Sequence, residues 1–204
     1  MSIFKGSATL TRYQVQGDTP PDFWGFLDRR IRANVFHPID DQPNEQMSVG
    51  WCSVHDFLDT SFTYASYALD PYVVLGLRVD TRKIPTAQVR RELQRELRRA
   101  GQEGRVLSRV QREELRERVA QDLMRRTPPA TQVFEVVWDT AKGEVWLGTG
   151  GRGVRDLFEG HFRRSFDLGL WPRLPWLLAQ DLLPAEDRLA LDMSRPQTLY
   201  HGEA

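Results

Sequence analysis

The chain has 204 residues, 40% of them hydrophobic and including six Trp and ten Phe, which is enough apolar content to bury one core and too much for a disordered polymer. Its 28 basic and 28 acidic residues cancel, so no overall charge assigns a partner, and one cysteine excludes an internal disulfide framework. No apolar run approaches the ~20 residues of a membrane span, and MSIFKGSATL lacks the cationic lead and apolar centre of a secretory signal, so the expectation is a cytoplasmic protein with no membrane partner.

Taken in order, Ile3 to Val15 alternates loosely and predicts a strand. Gly17 to Pro21 is a turn, and Asp22 opens a helix whose spacing of Phe23, Leu27, Ile31 and Val35 gives one apolar face, with Arg29, Arg30 and Arg32 on the other. Pro38 to Gln46 is a loop. Val49 to Val54, Ser61 to Tyr67 and Tyr72 to Val79 predict three strands, the last rich in β-branched and aromatic residues.

From Ile84 to Arg126 the pattern predicts two helices. Val89, Leu93, Leu97 and Ala100 line one face of the first; Gly101 and Gly104 loosen the backbone; Ser108 and Gln111 form a capping box that starts the second, lined by Leu115, Val119 and Leu123. Pro128 and Pro129 stop it. Gln132 to Trp138 and Glu144 to Gly148 predict a hairpin with Gly143 in its turn. Val154 to Asp167 predicts a helix, and Ala185 to Leu191 a short helical possibility in a proline-rich end whose last residues order only if docked.

Charge is unevenly spread along this order. Between Gln88 and Arg126 stand twelve arginines and seven acids, so this segment carries about +5 and the remainder about −5. Arg91, Arg95 and Arg98 fall within roughly 60° of one another, opposite the apolar stripe, and three unpaired cations in a row suit a phosphate backbone. A solvated face is the plainer reading, with Glu114 to Arg118 and Asp122 to Arg126 as i,i+4 pairs.

Catalytic groups are hard to assemble from the rest. Gly148 to Gly153 is a literal G-x-G-x-x-G before a predicted helix, but its strand belongs to a hairpin and no acidic strand follows, as a dinucleotide site requires; its amides beside Arg152 and Arg155 remain able to hold a phosphate. Cys52, His55 and Asp56 lie too close in sequence for a nucleophile and base, and a buried thiol is the plainer expectation. The four histidines show no ligand spacing. Trp51, Trp138 and Trp146 read as core residues. No enzyme, metal or cofactor is expected.

The succession of segments resembles the recombination-associated protein RdgC family. The matching features are Gly50-Trp51 in an early strand, then a strand leading through Arg78 to Lys83, Ile84 and Pro85, with Val89 opening the charged helices. A proline before a strand ending in Trp138 and Asp139, a turn at Lys142 and Gly143, and a closing helix followed by Leu170 and Pro172 complete the likeness, over roughly residues 3 to 172. The resemblance implies sequence-independent DNA binding by a homodimer that in the family closes around the duplex and restrains the recombinase RecA. It further implies a shortened member, because the family's further α+β portion would follow Pro172, where this chain has about 32 residues.

The expected fold is α+β: an antiparallel sheet packed by helices, with a projecting two-helix arm. Residues 1–83 and 128–172 would form the body, 84–127 the arm and 173–204 a C-terminal extension. The expected DNA contacts are Lys83, Arg90, Arg91, Arg95, Arg98, Arg99, Arg105, Arg109 and Arg112 on the arm side, and Arg152, Arg155, Arg163 and Arg164 beyond it, in a nucleoid-associated protein. The alternative is a protein-interaction or dimerisation arm to which nucleic acid is irrelevant.

Overall fold

A computed structural model describes residues 9–40 and 45–193. In chain order the elements are β1 (Thr11–Gln16), α1 (Phe23–Ala33), β2 (Met47–Cys52), α2 (Tyr64–Tyr67), β3 (Ala68–Leu69) and β4 (Tyr72–Thr81). The charged helices α3 (Thr86–Gln102) and α4 (Arg109–Arg126) follow. Then come β5 (Ala130–Asp139), β6 (Glu144–Leu147), α5 (Arg152–Phe166), β7 (Gly169–Pro172), α6 (Pro175–Leu182) and α7 (Ala185–Met193).

The strands form one sheet in the order β2-β4-β5-β6-β1-β7, with β3 on the end of β4, and every strand pair is antiparallel. Alternation sends Val73, Leu75, Leu77 and Val79 of β4 to the same side as Trp51, Val136, Trp138, Val145 and Tyr13. Leu27 and Ile31 of α1 and Phe158, Phe162 and Phe166 of α5 cover that side, each essentially buried. The apolar stripes at helical spacing and the period-two strands are thus the two halves of one core. Trp51 sits at its centre: its indole N–H donates to Ser165 Oγ at 2.9 Å, and its ring lies 4.7 Å from His161 and 5.8 Å from Phe166.

The opposite side of β4 is also buried, and it is polar. Arg78 donates to Asp80 through Nε (3.0 Å) and an η nitrogen (2.8 Å), gives a further bond to the Phe57 carbonyl, and stacks its guanidinium 4.0 Å from the Phe36 ring. Phe36 arrives because the chain leaving α1 runs parallel beside β2: Phe36 N–H donates to Trp51 O and Trp51 N–H to Asn34 O. Gly50 permits this approach, since a Cβ there would lie 2.3 Å from the Phe36 Cα.

Several expectations need correction. Residues 3–8 of the first predicted strand lie outside the described residues, and β1 runs one residue past Val15. The first helix stops at Ala33, so Val35 joins the β-bridge to Trp51 instead of the helical stripe. Ser61 to Tyr67 is not a strand. One helical turn there lets Tyr67 reach the core, with its hydroxyl donating to Asp28 on α1, while Ser66 bonds back to the Thr63 carbonyl. The proline-rich end holds more structure than a short helix: Pro172 ends an edge strand and Pro175 occupies the first turn of α6, both positions that need no backbone donor. Trp146 is half-buried on the outer side of the sheet, 6.4 Å from Tyr72, not in the main core.

Burial, reinforced by the charge of Arg164 and opposed by a hydrogen bond to the Asn34 backbone, pushes the His161 imidazole down to about 4. An unfolded imidazole titrates near 6.5, so as pH falls the proton binds the unfolded chain first. The His161 contribution is therefore complete above pH 6.5 and declines toward pH 4, by up to about 3 kcal/mol. Urea melts at pH 7 and pH 4.5 should show this loss, and His161→Gln should have a flatter pH dependence across that window.

Candidate nucleic-acid interface

The arm is built from side chains that cannot be buried on the sheet. Helix α3 turns Val89, Leu93, Leu97 and the buried Ala100 toward Leu115, Leu123 and the buried Val119 of α4, so the two helices pack chiefly on each other. Glycine does more in the turn than loosen it. The helix continues through Gly101, and Gly104, at φ +71°, ends it: its N–H donates to Gly101 O, and Arg105 N–H reaches back to Ala100 O at 2.9 Å. That pair of bonds is a Schellman motif. Ser108 Oγ then accepts from Gln111 N–H while the Gln111 side chain accepts from Ser108 N–H, so the start of α4 is fixed as the capping box predicts.

With the seam on one side, the outward face of α3 carries Arg91, Gln94, Arg95 and Arg98, all exposed, flanked by exposed Arg90 and Arg99. From Arg91 to Arg98 the face runs about 10 Å at 1.5 Å per residue. The acids are drawn aside. Glu92, Glu96 and Asp122 line a cleft of about 270 Å³ along the seam, together with Arg118 and Arg126.

The three cations are not all unpaired: Arg95 meets Glu92 at 3.0 Å, and Arg99 meets Glu96 at 3.0 Å. Further along, Arg105 pairs with Glu103, and Arg116 with Glu113 at 3.1 Å. Within the helices the spacing is i,i+3; Glu114 with Arg118 and Asp122 with Arg126 form no such pair within 4 Å among the described residues. Exposed pairs of this kind contribute about 0–1 kcal/mol, and Arg95 and Arg99 stay 64% and 69% exposed, so a stronger anion can replace the glutamate.

The remaining predicted contacts are distributed over other elements. Lys83 is exposed in the link into α3, and Arg109 and Arg112 are exposed at the start of α4. Arg152 is exposed at the start of α5 and Arg163 and Arg164 near its end, about 16 Å along the axis. Arg155 is half-buried, beside Tyr13, whose phenol is held up chiefly by burial and then by Glu159. Helix α5 packs chiefly on α1, β2 and β7, so its arginines belong to a different element from the arm stripe and do not extend it.

The strand before Gly148–Gly153 pairs antiparallel with β5 and β1, and the strand after α5 pairs antiparallel with β1, which is no βαβ unit. Cys52 is buried and donates to the Gly76 carbonyl; burial, ahead of its neighbours' charges, pushes its thiol up to about 12. Among the described residues no three His, Cys, Asp or Glu side chains converge on a possible metal position, and no helix is long and apolar enough to cross a membrane.

Sequence reasoning passed over two sets of exposed apolar side chains. Val106 (92% exposed) and Val110 (68%) stand at the arm's tip, and Trp171, Leu174, Trp176, Leu182, Leu189 and Met193 follow β1's edge partner into α6 and α7. Val110 falls opposite the Leu115, Val119 and Leu123 stripe on a helical wheel, a signal that was available.

One family model, described as "Putative exonuclease, RdgC", matches residues 9–174. No curated protein matches the sequence. The matched span contains the whole sheet and the arm and stops at the threshold of α6.

Gly104 offers a clean test of how the tip is held. Nothing lies within 4 Å of a Cβ added there, so Gly104→Ala isolates the cost of a positive φ. The expected loss is about 1 kcal/mol, confined to the arm and read as faster amide exchange in α3 and α4 with core amides unchanged.

Proposed function

The chain belongs to the RdgC family, and from that membership together with the α3 stripe we propose that it binds duplex DNA without regard to sequence, as a homodimer, modulating homologous recombination by restraining a RecA-type recombinase. The observation that carries this reading is the outward face holding Arg91, Arg95 and Arg98. A span of about 10 Å matches about three steps of 3.4 Å rise along one strand. Guanidinium groups suit phosphate oxygens, and a contact made to backbone carries no sequence information. Arg90 and Arg99 extend the stripe at its flanks, with Lys83, Arg105, Arg109 and Arg112 at its two ends.

The mechanism is release of condensed counterions, so affinity depends on salt. Binding to random duplex should weaken steeply as salt rises, and the combined Arg91→Ala, Arg95→Ala and Arg98→Ala chain should lose about three from the slope of log affinity against log salt. Alanine keeps the helix, which circular dichroism checks. Absence of any complex at low salt sinks the DNA reading; an unchanged slope moves the contact to Arg152, Arg163 and Arg164.

The proposal treats the protein as a binder and not a nuclease. End-labelled duplex incubated with Mg²⁺ should keep its length, and progressive shortening that survives repurification would overturn that part. A second reading, a protein-docking arm, is favoured by one observation: Val106 and Val110 stand in water at the tip. The two readings use different residues of the same arm and are separable by mutation.

A further inference from the structure

The arm joins the body through two short links, and among the described residues only the outgoing one is hydrogen-bonded to it. On the return side Thr127 turns back into the arm: its hydroxyl donates to the Leu123 carbonyl (2.7 Å) and its N–H to that of Met124 (3.2 Å). Pro128 and Pro129 follow without a backbone donor. On the outgoing side stands Arg82, one residue beyond the last β4–β5 pair, Thr81 with Ala130, and only 4% exposed. Its N–H donates to the Gln46 carbonyl (2.8 Å) and its guanidinium to the Ile39 carbonyl (3.0 Å). Ile39 is itself buried, so this acceptor belongs to the body.

Strand alternation places Arg82 on the same side as Arg78 and Asp80, so it carries the buried polar row of β4 past the end of the sheet, while its neighbour Lys83 is exposed. Beyond Arg82 the link has little freedom. Pro85 is held at φ −60° and already serves α3, its carbonyl accepting from Gln88 N–H (2.8 Å) and Val89 N–H (3.3 Å). A residue before proline is confined to extended backbone, which restricts Ile84; on the return side Thr127, before Pro128, takes φ −91° and ψ 116°. Lys83 alone separates the buried anchor from these restricted positions.

We propose that Arg82 is the positioning residue of the arm: tied to the Gln46 and Ile39 carbonyls, it sets the angle at which α3 leaves the sheet and so where the arginine stripe lies. The consequence for binding rests on the stripe being the DNA contact; the angle itself does not. Arg98 lies about 18 Å along α3 from Thr86, so a swing of about 20° at the root moves it about 6 Å, close to two 3.4 Å steps of one strand. Taking a guanidinium out of water is costly, and a defined arm angle is what this one supplies.

Electron–electron resonance between spin labels at Gln121→Cys on α4 and Asp156→Cys on α5 tests this, in the full chain mixed with excess unlabelled chain so that only distances within one copy are read. Cys52 is buried and stays unlabelled. With Arg82 in place the distance distribution should be narrow. Arg82→Met keeps the apolar stem and removes the donors, and should broaden it with helix content unchanged. Arg82→Lys keeps the charge and loses the planar fork, so it should broaden the distribution by less, and it carries the test if the methionine chain does not fold. Affinity for random duplex should fall by about tenfold in Arg82→Met with the salt slope retained, because the same cations meet the same phosphates from a smaller competent population. A folded Arg82→Met chain as narrow as the wild type, or, failing its folding, an equally narrow lysine chain, overturns the anchor. Broadening with undiminished affinity overturns its part in binding. If the wild type binds no duplex, the DNA reading falls and the distances still decide the anchor.

Discussion

The pairing of β4 with β5 is the constraint from which the rest of the molecule follows. The two strands stay in register from Tyr72 opposite Asp139 to Thr81 opposite Ala130. The chain therefore leaves for the arm and returns from it at directly opposed residues, about 5 Å apart. Two helices rooted at such a separation have little choice but to run antiparallel and pack on each other. The arm's direction is set by the sheet, not by its own weak core.

Register is held by what each face of β4 contains. Leu75, Leu77 and Val79 meet Trp51, Phe158 and Phe166 on one side, while Arg78 and Asp80 meet each other, Phe36 and Phe57 on the other. A one-residue slip would exchange these sets, placing a guanidinium and a carboxylate among phenylalanines. A buried ion pair adds little net stability compared with a well-packed apolar pair, but stranding one partner costs about 3–5 kcal/mol. Its worth here is therefore specificity. The same pair holds the loop at Phe57 and the segment after α1, so among the described residues these two segments cover the outer face near β2.

Much of this could be read in the sequence, wherever periodicity was long and unmixed. The β4 run, the α5 stripe, the β5–β6 hairpin and the capping box at Ser108 all have local causes and fold as their patterns predict, and the α1 stripe does so as far as Ile31. Where competing interactions decide, the pattern misled. Ser61 to Tyr67 has strand-like residues, yet the reach of Tyr67 to Asp28 requires a helical turn. Pro172 and Pro175 look like breakers until the edge strand and the first helical turn give them positions without a donor to lose. The arginine stripe on α3 was visible as geometry, but its pairing with Glu92 and Glu96 depends on rotamers that spacing does not fix. The apolar groups of α6 and α7 resemble core residues in composition, and only the fold reveals that nothing described in the chain covers them.

Charge is partitioned in the same way as structure. A neutral chain has gathered its arginines on an arm whose helices need no sheet contacts, and its C-terminal helices have gathered acids beside exposed leucines. Along the arm the cations divide further: those on the face of α3 are spread over about two turns with no apolar neighbour on that face, whereas those at the tip surround two valines. A phosphate backbone gains nothing from valine, and a protein surface gains most where apolar contact and charge coincide. In the proposed reading the stripe meets nucleic acid with the tip cations at its end, and the two valines are what favour the docking alternative.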